Sequence, residues 1–178
     1  MKKTGYITFL GLLCALAAVL SFVESLIPTS GLLPPGVKLG LSNIITMFAA
    51  FSLGIPGTLT VAVSKALFAL LTRGMTAGLL SLAGGVLSGV AVCMIIKLDR
   101  NQKLGFAGIS IVGAICHNAG QLVVVSLLTT KAAFMYAPVL LISGAAAGTV
   151  TSLILKSVWR YIKKLEMTVR RSRTKGEI

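Results

Sequence analysis

The sequence predicts an all-α membrane protein, a compact bundle of about six transmembrane helices, and three observations lead to that fold class. Hydrophobic residues make up 56% of the 178-residue chain, only 12% of its residues are charged, and the mean hydropathy is +0.95. This composition excludes an ordinary soluble domain. Apolar runs close to the roughly 20 residues that cross a bilayer follow one another, separated by short breaks. The basic residues lie mostly at alternate breaks and at the two ends of the chain.

Six segments are apolar and bounded by turn-forming or charged residues, so we expect them to be the helices of the bundle. They are residues 6–27, 38–53, 58–72, 75–96, 104–128 and 134–158. The second and third segments are short. The turn Gly54-Ile55-Pro56-Gly57 between them is therefore also compatible with a re-entrant hairpin.

The distribution of positive charge predicts the orientation. If the N-terminus is cytoplasmic, all but four of the 17 Lys and Arg residues lie on the inner side; the four are Lys38, Lys65, Arg73 and Lys131. The positive-inside rule expects this from six crossings with both ends in the cytoplasm. We therefore expect a multi-pass cell-membrane protein, with the bundle in residues 1–158 and a basic cytoplasmic tail in residues 159–178. Such a tail rests on anionic membrane lipid more readily than on nucleic acid, so we expect no nucleic-acid partner.

Polar residues near the middle of the fifth predicted span are the strongest functional signal. His117, Asn118 and Gln121 lie within an otherwise apolar run. Hydrocarbon offers such side chains no partners, so they must bond to protein or line a cavity. His117 and Gln121 are four residues apart and share a helical face.

Five more polar or charged residues are expected in the outer half of the same bundle. Glu24 ends the first span, Lys38 opens the second, and Arg73 closes the third. The predicted substrate-binding set is Glu24, Lys38, Asn43, Lys65, Arg73, His117, Asn118 and Gln121. Three cations against one carboxylate favour an anionic or carbonyl-rich small molecule. The alternative is that these groups fasten helices, with Glu24 paired to Lys38 or Lys65 and with His117 and Gln121 bonded to backbone carbonyls.

Small residues form stripes on several predicted helices. Ser81, Gly85 and Gly89 recur every four residues on the fourth span, and Gly144 and Gly148 repeat that spacing on the sixth, which suits close internal packing. The first span carries a similar stripe, which serves either internal packing or a partner helix. Its residues are Gly11, Ala15 and Ala18.

Four ordered segments carry a resemblance to a known family: ESLIP (24–28), PPGVKLGLSNIITMFA (34–49), SLAGGVLS (81–88) and GAICHNAGQL (113–122). They resemble the Gx transporter or heptaprenyl diphosphate synthase component I family. That family is similar to the substrate-binding S components of energy-coupling factor (ECF) vitamin transporters. The resemblance implies a six-helix membrane protein that binds a small molecule from the outer side. It also implies docking, through small residues of the first helix, on a transmembrane coupling subunit with its ATPases; here these are Gly11, Ala15 and Ala18.

Catalysis by this chain is not expected. Prenyl transfer needs clustered carboxylates to hold magnesium and diphosphate. The only four acids, Glu24, Asp99, Glu166 and Glu177, are scattered along the sequence. The three cysteines show no spacing typical of a metal site or a disulfide framework, and we expect no cofactor or metal.

The sequence therefore predicts a non-enzymatic, membrane-embedded binding or transport component that captures a small molecule at the outer face. A different class stays open: an accessory subunit of isoprenoid or quinone metabolism that presents a lipid substrate to a separate catalytic chain. A third class is a structural partner in another membrane complex.

Overall fold

The computed structural model describes residues 3–26, 40–99 and 104–174, with side chains described as far as residue 161. These residues are almost entirely helical, and the described part contains no β-strand. The helices are α1 (Lys3–Ser25), α2 (Asn43–Arg73), α3 (Met75–Leu98), α4 (Gly105–Leu128) and α5 (Ala137–Thr174), with a 3₁₀ helix (Lys131–Tyr136) before α5. Five helices are long and apolar enough to cross a membrane. The expectation of an all-α, multi-pass membrane protein is confirmed, whereas the count of six spans is not.

The difference in count arises at Gly54, inside α2. Gly54 has φ 69° and ψ −162°, which is not helical. In a continuous helix, Thr46 and Thr58 would lie about 18 Å apart along the axis. Instead, a Cβ placed on Gly89 would lie 3.7 Å from the Thr46 methyl and 2.6 Å from the Thr58 methyl. The chain therefore folds back at Gly54, and α2 is a hairpin of two limbs, residues 43–53 and residues 55–73.

The first limb of this hairpin is too short to count as a full crossing. Residues 43–53 extend for about 16 Å as a helix, roughly half of the hydrocarbon thickness. The predicted spans 38–53 and 58–72 thus correspond to the two limbs of one element. Residues 27–39, which include the start of the second predicted span, lie outside the described residues.

Glycines allow the successive helices of the bundle to approach closely. Each described helix packs against the next along the chain, and α1 makes close backbone contact with α2 alone. A Cβ on Gly85 would lie 3.2 Å from the Ala62 Cβ of α2. A Cβ on Gly148 would lie 2.6 Å from the Ile111 backbone of α4. The small residues expected to pack helices together do lie at helix crossings.

A cluster of aromatic rings closes one end of the bundle. Phe48 contacts Phe9 of α1 and Trp159 of α5, with ring centroids 6.2 and 6.5 Å apart, and Phe51 contacts Phe106 of α4 at 5.0 Å. Phe9 lies near the start of the chain, and Trp159 lies near the end of the described side chains. Phe9 and Trp159 therefore lie at the same end of the described bundle.

The turn at Gly54 gives a test of the hairpin. Replacing Gly54 with Ala should lower stability by about 1–3 kcal/mol, because a side chain is strained at this positive φ, although nothing lies within 4 Å of the new Cβ. Gly5→Ala is the matched control, since it also adds a Cβ in open space but on a regular helix. Thermal unfolding in detergent measures both variants. Equal stability of the two variants would contradict the strained turn.

Candidate functional site

A small polar cavity lies toward the end of the bundle opposite the aromatic cluster. It forms where the end of α1, the hairpin α2, the start of α3 and the middle of α4 meet. The centre of a water molecule can move within a volume of about 10 Å³ in this cavity, so the cavity has room for about one water. The lining residues are Ser21, Glu24, Ser42, Lys65, Arg73, Ala77, Leu80, Ser81, His117 and Gln121.

Glu24 holds the end of α1 to the beginning of α2. Its carboxylate is 4% exposed and accepts hydrogen bonds from the backbone N–H groups of Gly40, Leu41 (3.1 Å) and Ser42 (3.5 Å). The Ser42 hydroxyl donates to the second carboxylate oxygen at 3.4 Å. These N–H groups lie at the N-terminal end of a helix, where they have no intrahelical partner and where a negative charge is favoured. The structure therefore gives Glu24 the role of an N-terminal cap, which the helix-fastening alternative did not anticipate.

Lys65 is the most unusual side chain of the site. It is 1% exposed, and its ammonium nitrogen has no hydrogen-bond partner among the described residues. Glu24 and Arg73 are near enough to attract and to repel its charge, respectively. Arg73 donates through Nη2 to the Ser21 hydroxyl at 2.9 Å, while its Nε has no partner. Lys65 Nζ and Arg73 Nε, which both belong to the second limb of the α2 hairpin, are thus two donors without a partner among the described residues.

His117 and Gln121 form one wall of the cavity, as their shared helical face predicts. The Gln121 amide nitrogen lies 3.0 Å from His117 Nε2. In this arrangement the amide donates to Nε2, which places the proton of a neutral imidazole on Nδ1. Gly40 and Gly84 enclose the ring: a Cβ on Gly40 would lie 3.2 Å from Cδ2, and a Cβ on Gly84 would lie 2.8 Å from Nδ1. The imidazole is therefore fixed between α3 and the segment that leads into α2.

Seven of the eight predicted site residues are described, and the structure divides them. Five of them line the cavity, and Lys38 lies outside the described residues. Asn43 does not line it: its amide donates to the Ser88 hydroxyl at 2.9 Å. Asn118 does not line it either, because its amide donates to the Leu140 carbonyl of α5 at 2.7 Å. Asn43 and Asn118 thus have bonds between helices, which fits the fastening alternative for these two positions.

The predicted substrate-binding set omits three serines that line the cavity and two glycines that contact the His117 ring. Ser21, Ser42 and Ser81 line the cavity, while Gly40 and Gly84 contact the His117 ring. Ser21 and Glu24 are three residues apart on α1, and this spacing is a signal that would have placed Ser21 beside Glu24. Single serines and glycines are too common in membrane helices to have been chosen without contacts.

The stripe Gly11, Ala15 and Ala18 lies on α1, which buries its other face. Leu13, Ala17, Ser21 and Glu24 are the buried residues of this helix. Gly11 and Ala15 are exposed, and no atom lies within 4 Å of a Cβ placed on Gly11. Nothing in the described bundle packs on Gly11, so internal packing does not account for that end of the stripe.

Comparison with protein families gives one match. The family model described as heptaprenyl diphosphate synthase component I matches residues 13–158. The chain belongs to this family. The matched range of this component I protein includes every residue that lines the cavity. Searches of curated proteins and of solved structures found no match, and the resemblance to S components of ECF transporters stays a prediction.

The family name and the apolar helical bundle together fit a membrane-associated component. No group of three or more His, Cys, Asp or Glu side chains that could hold a metal ion occurs within residues 3–26, 40–99 and 104–161. The geometry of the cavity offers hydrogen-bond donors and positive charge rather than a metal centre.

The cap made by Glu24 gives a second test. Glu24→Gln should lower stability by about 1–3 kcal/mol, because it removes the charge that favours three backbone N–H groups and turns one acceptor oxygen into a donor. Asp99→Asn is the control, since Asp99 also accepts a backbone N–H, from Leu104 at 2.9 Å, but at an exposed position. Thermal unfolding in detergent should show the larger loss for Glu24→Gln. If Glu24→Gln lowers the unfolding temperature no more than Asp99→Asn does, Glu24 does not have the structural role described here.

Proposed function

We propose that this component I protein is a non-enzymatic, membrane-embedded binding component that captures a small molecule from the outer face, as S components of ECF transporters do. The observation that carries the proposal is the Lys65 ammonium group, which is buried beside the cavity and has no hydrogen-bond partner in the part of the chain that the structure describes. A charged group inside a membrane protein is costly and is typically kept for function. A ligand that accepts hydrogen bonds from Lys65 would offset that cost.

The surroundings of Lys65 support an anionic or carbonyl-rich ligand. Arg73 Nε is a second donor without a partner, and Gln121 and His117 line the same space. The carboxylate of Glu24 already accepts four hydrogen bonds from the start of α2. The site therefore presents donors and positive charge to whatever enters it, with room for one small group of the ligand among these side chains.

The exposed face of α1 supports docking on a second membrane subunit. Gly11 and Ala15 are exposed on a helix that makes close backbone contact with α2 alone among the described helices, and small residues allow a partner helix to approach closely. The sequence contains no Gly-xxxx-Gly-Lys-Ser/Thr loop for ATP. We propose that a transmembrane coupling subunit with ATPases, or another membrane complex, binds this face and supplies energy.

The charge distribution supports an orientation with both termini cytoplasmic. Phe9 and Trp159 lie at the same end of the described bundle, and the sequence assigns all but four of the 17 basic residues to the predicted cytoplasmic side. We propose that this side faces the cytoplasm of a cell membrane and that the cavity faces outward.

The name of the family supports a second candidate function, that of an accessory subunit in isoprenoid or quinone metabolism. In that role the protein would present a prenyl lipid to a separate catalytic chain. Mass spectrometry of whatever copurifies with the detergent-solubilised protein separates the two functions. A water-soluble compound supports capture for transport, and a prenyl lipid or quinone supports the accessory role. If the protein purified from native membrane carries neither a water-soluble compound nor a prenyl lipid or quinone, both candidate functions are contradicted.

Two neighbouring residues of α4 give a test of the site. His117→Ala should weaken binding of the copurifying molecule by about 1–3 kcal/mol, because it removes a cavity wall and leaves Gln121 without this partner. Folding should survive. Asn118→Ala, which breaks the bond to Leu140, should instead lower the unfolding temperature while the molecule is retained. If His117→Ala retains the molecule as the parent does, His117 only fastens helices.

The face of α1 gives a test of docking. Ala15→Leu should abolish pull-down of a membrane partner, because the larger side chain prevents close helix approach, while the isolated protein still retains its small molecule. Ala146→Leu, at an exposed position on α5, is the matched control and should leave pull-down unchanged. Loss of both pull-down and the small molecule in Ala15→Leu would mean that the stripe belongs to the core of the protein.

A further inference from the structure

We infer that the cavity recognises a singly charged anionic group, a carboxylate or a phosphate bearing one negative charge, with Lys65 as its principal contact. This inference rests on the proposed binding function and narrows the class of ligand. It is carried by the balance of charge and of hydrogen bonds around the cavity.

Among the described residues, the balance of charge leaves one positive charge at the cavity without a counter-charge. Glu24 is the one acidic side chain of that part of the chain that lines the cavity, and Lys65 and Arg73 are the basic ones. His117 Nε2 is paired with the Gln121 amide, whereas His117 Nδ1 has no hydrogen-bond partner among the described residues. One negative charge would complete the balance, whereas two would leave an excess of buried negative charge, which is equally unfavourable.

The balance of hydrogen bonds indicates where the negative charge belongs. The Glu24 carboxylate is used by the three N–H groups and the hydroxyl at the start of α2, and it makes no hydrogen bond to Lys65. Arg73 is only half-buried and bonds to Ser21, so solvent and protein share its charge. Lys65 is fully buried, and its ammonium group has no hydrogen-bond partner within residues 3–26, 40–99 and 104–161. The unfilled requirement is an acceptor of hydrogen bonds at the Lys65 ammonium.

The size of the cavity limits which part of a ligand the cavity can enclose. Space for about one water molecule admits an oxygen of a carboxylate or phosphate but not a bulky group. The remainder of the ligand must lie beyond the lining residues. Two sources share this chemistry: a soluble acid, and the phosphodiester headgroup of a membrane lipid.

The test uses acetate as a singly charged probe on the purified full-length protein. Unfolding temperature is followed against increasing potassium acetate, with acetamide as the uncharged match and potassium sulfate as the doubly charged one at equal ionic strength. Acetate should raise the unfolding temperature to a plateau, because a ligand that binds only the folded state stabilises it. Acetamide and sulfate should not.

The variant Lys65→Met should abolish the effect of acetate, and without acetate it should unfold at or above the temperature of the parent, because an uncompensated buried charge has been removed. Lys156→Met, an exposed lysine on α5, is the matched control and should respond to acetate as the parent does. A Lys65→Met protein that fails to accumulate or unfolds earlier would show that the fold itself requires the charge, which overturns the inference.

Mass spectrometry of the molecule released from the parent distinguishes the sources. A soluble monocarboxylate or phosphodiester supports the inference with a transported ligand, and a phospholipid supports it with a lipid headgroup. Stabilisation by acetamide or sulfate, or release of a neutral or multiply charged molecule, overturns the inference but retains the binding function. No released molecule together with no stabilisation by any probe overturns both.

Discussion

The attachment of Glu24 to the start of α2 is the interaction on which the rest of the polar site depends. A carboxylate inside a membrane bundle is unfavourable unless its oxygens accept hydrogen bonds. The first N–H groups of a helix have the opposite need, since no carbonyl of their own helix reaches them. Placing Glu24 against Gly40, Leu41 and Ser42 meets both needs at once. It also fixes where α2 begins relative to the end of α1.

That attachment determines the surroundings of His117 and Lys65. Gly40, drawn in by Glu24, lies against the imidazole, and Gly84 of α3 lies against its other side. Neither position has room for a side chain. Because the Glu24 carboxylate is used by backbone groups, it does not also neutralise Lys65 by direct contact. A stabilising contact at one edge of the cavity therefore leaves a buried lysine beside it, and the proposed recognition of a ligand rests on this separation of roles.

Much of the fold was predictable because apolar length and turn-forming residues are local signals. The first span and the last three were placed to within a few residues of α1, α3, α4 and the membrane part of α5. The hairpin was harder to predict. The sequence indicates that Gly54 and Pro56 interrupt a helix, but it does not indicate by how much the chain turns there. At the site, the pairing of His117 with Gln121 follows from helical spacing alone. Asn118 is one residue further and so faces a different neighbour, and only the packing of α5 identifies that neighbour as Leu140.

The position of α1 at the edge of the bundle joins the two halves of the proposed function physically. One face of α1 carries Ser21 and Glu24, which hold Arg73 and the start of α2, and the opposite face carries Gly11 and Ala15 with no atom of the described bundle on Gly11. Among the described helices, α1 makes close backbone contact with α2 alone, so it can shift with less loss of packing than a helix inside the bundle. A shift of α1 along its axis by one helical turn would move Glu24 by about 5.4 Å, which is enough to break its hydrogen bonds to residues 40–42. Under the proposed function, a partner that binds the exposed face of α1 would act on the same helix that lines the cavity. A single helix would then connect the proposed docking face with the proposed ligand site.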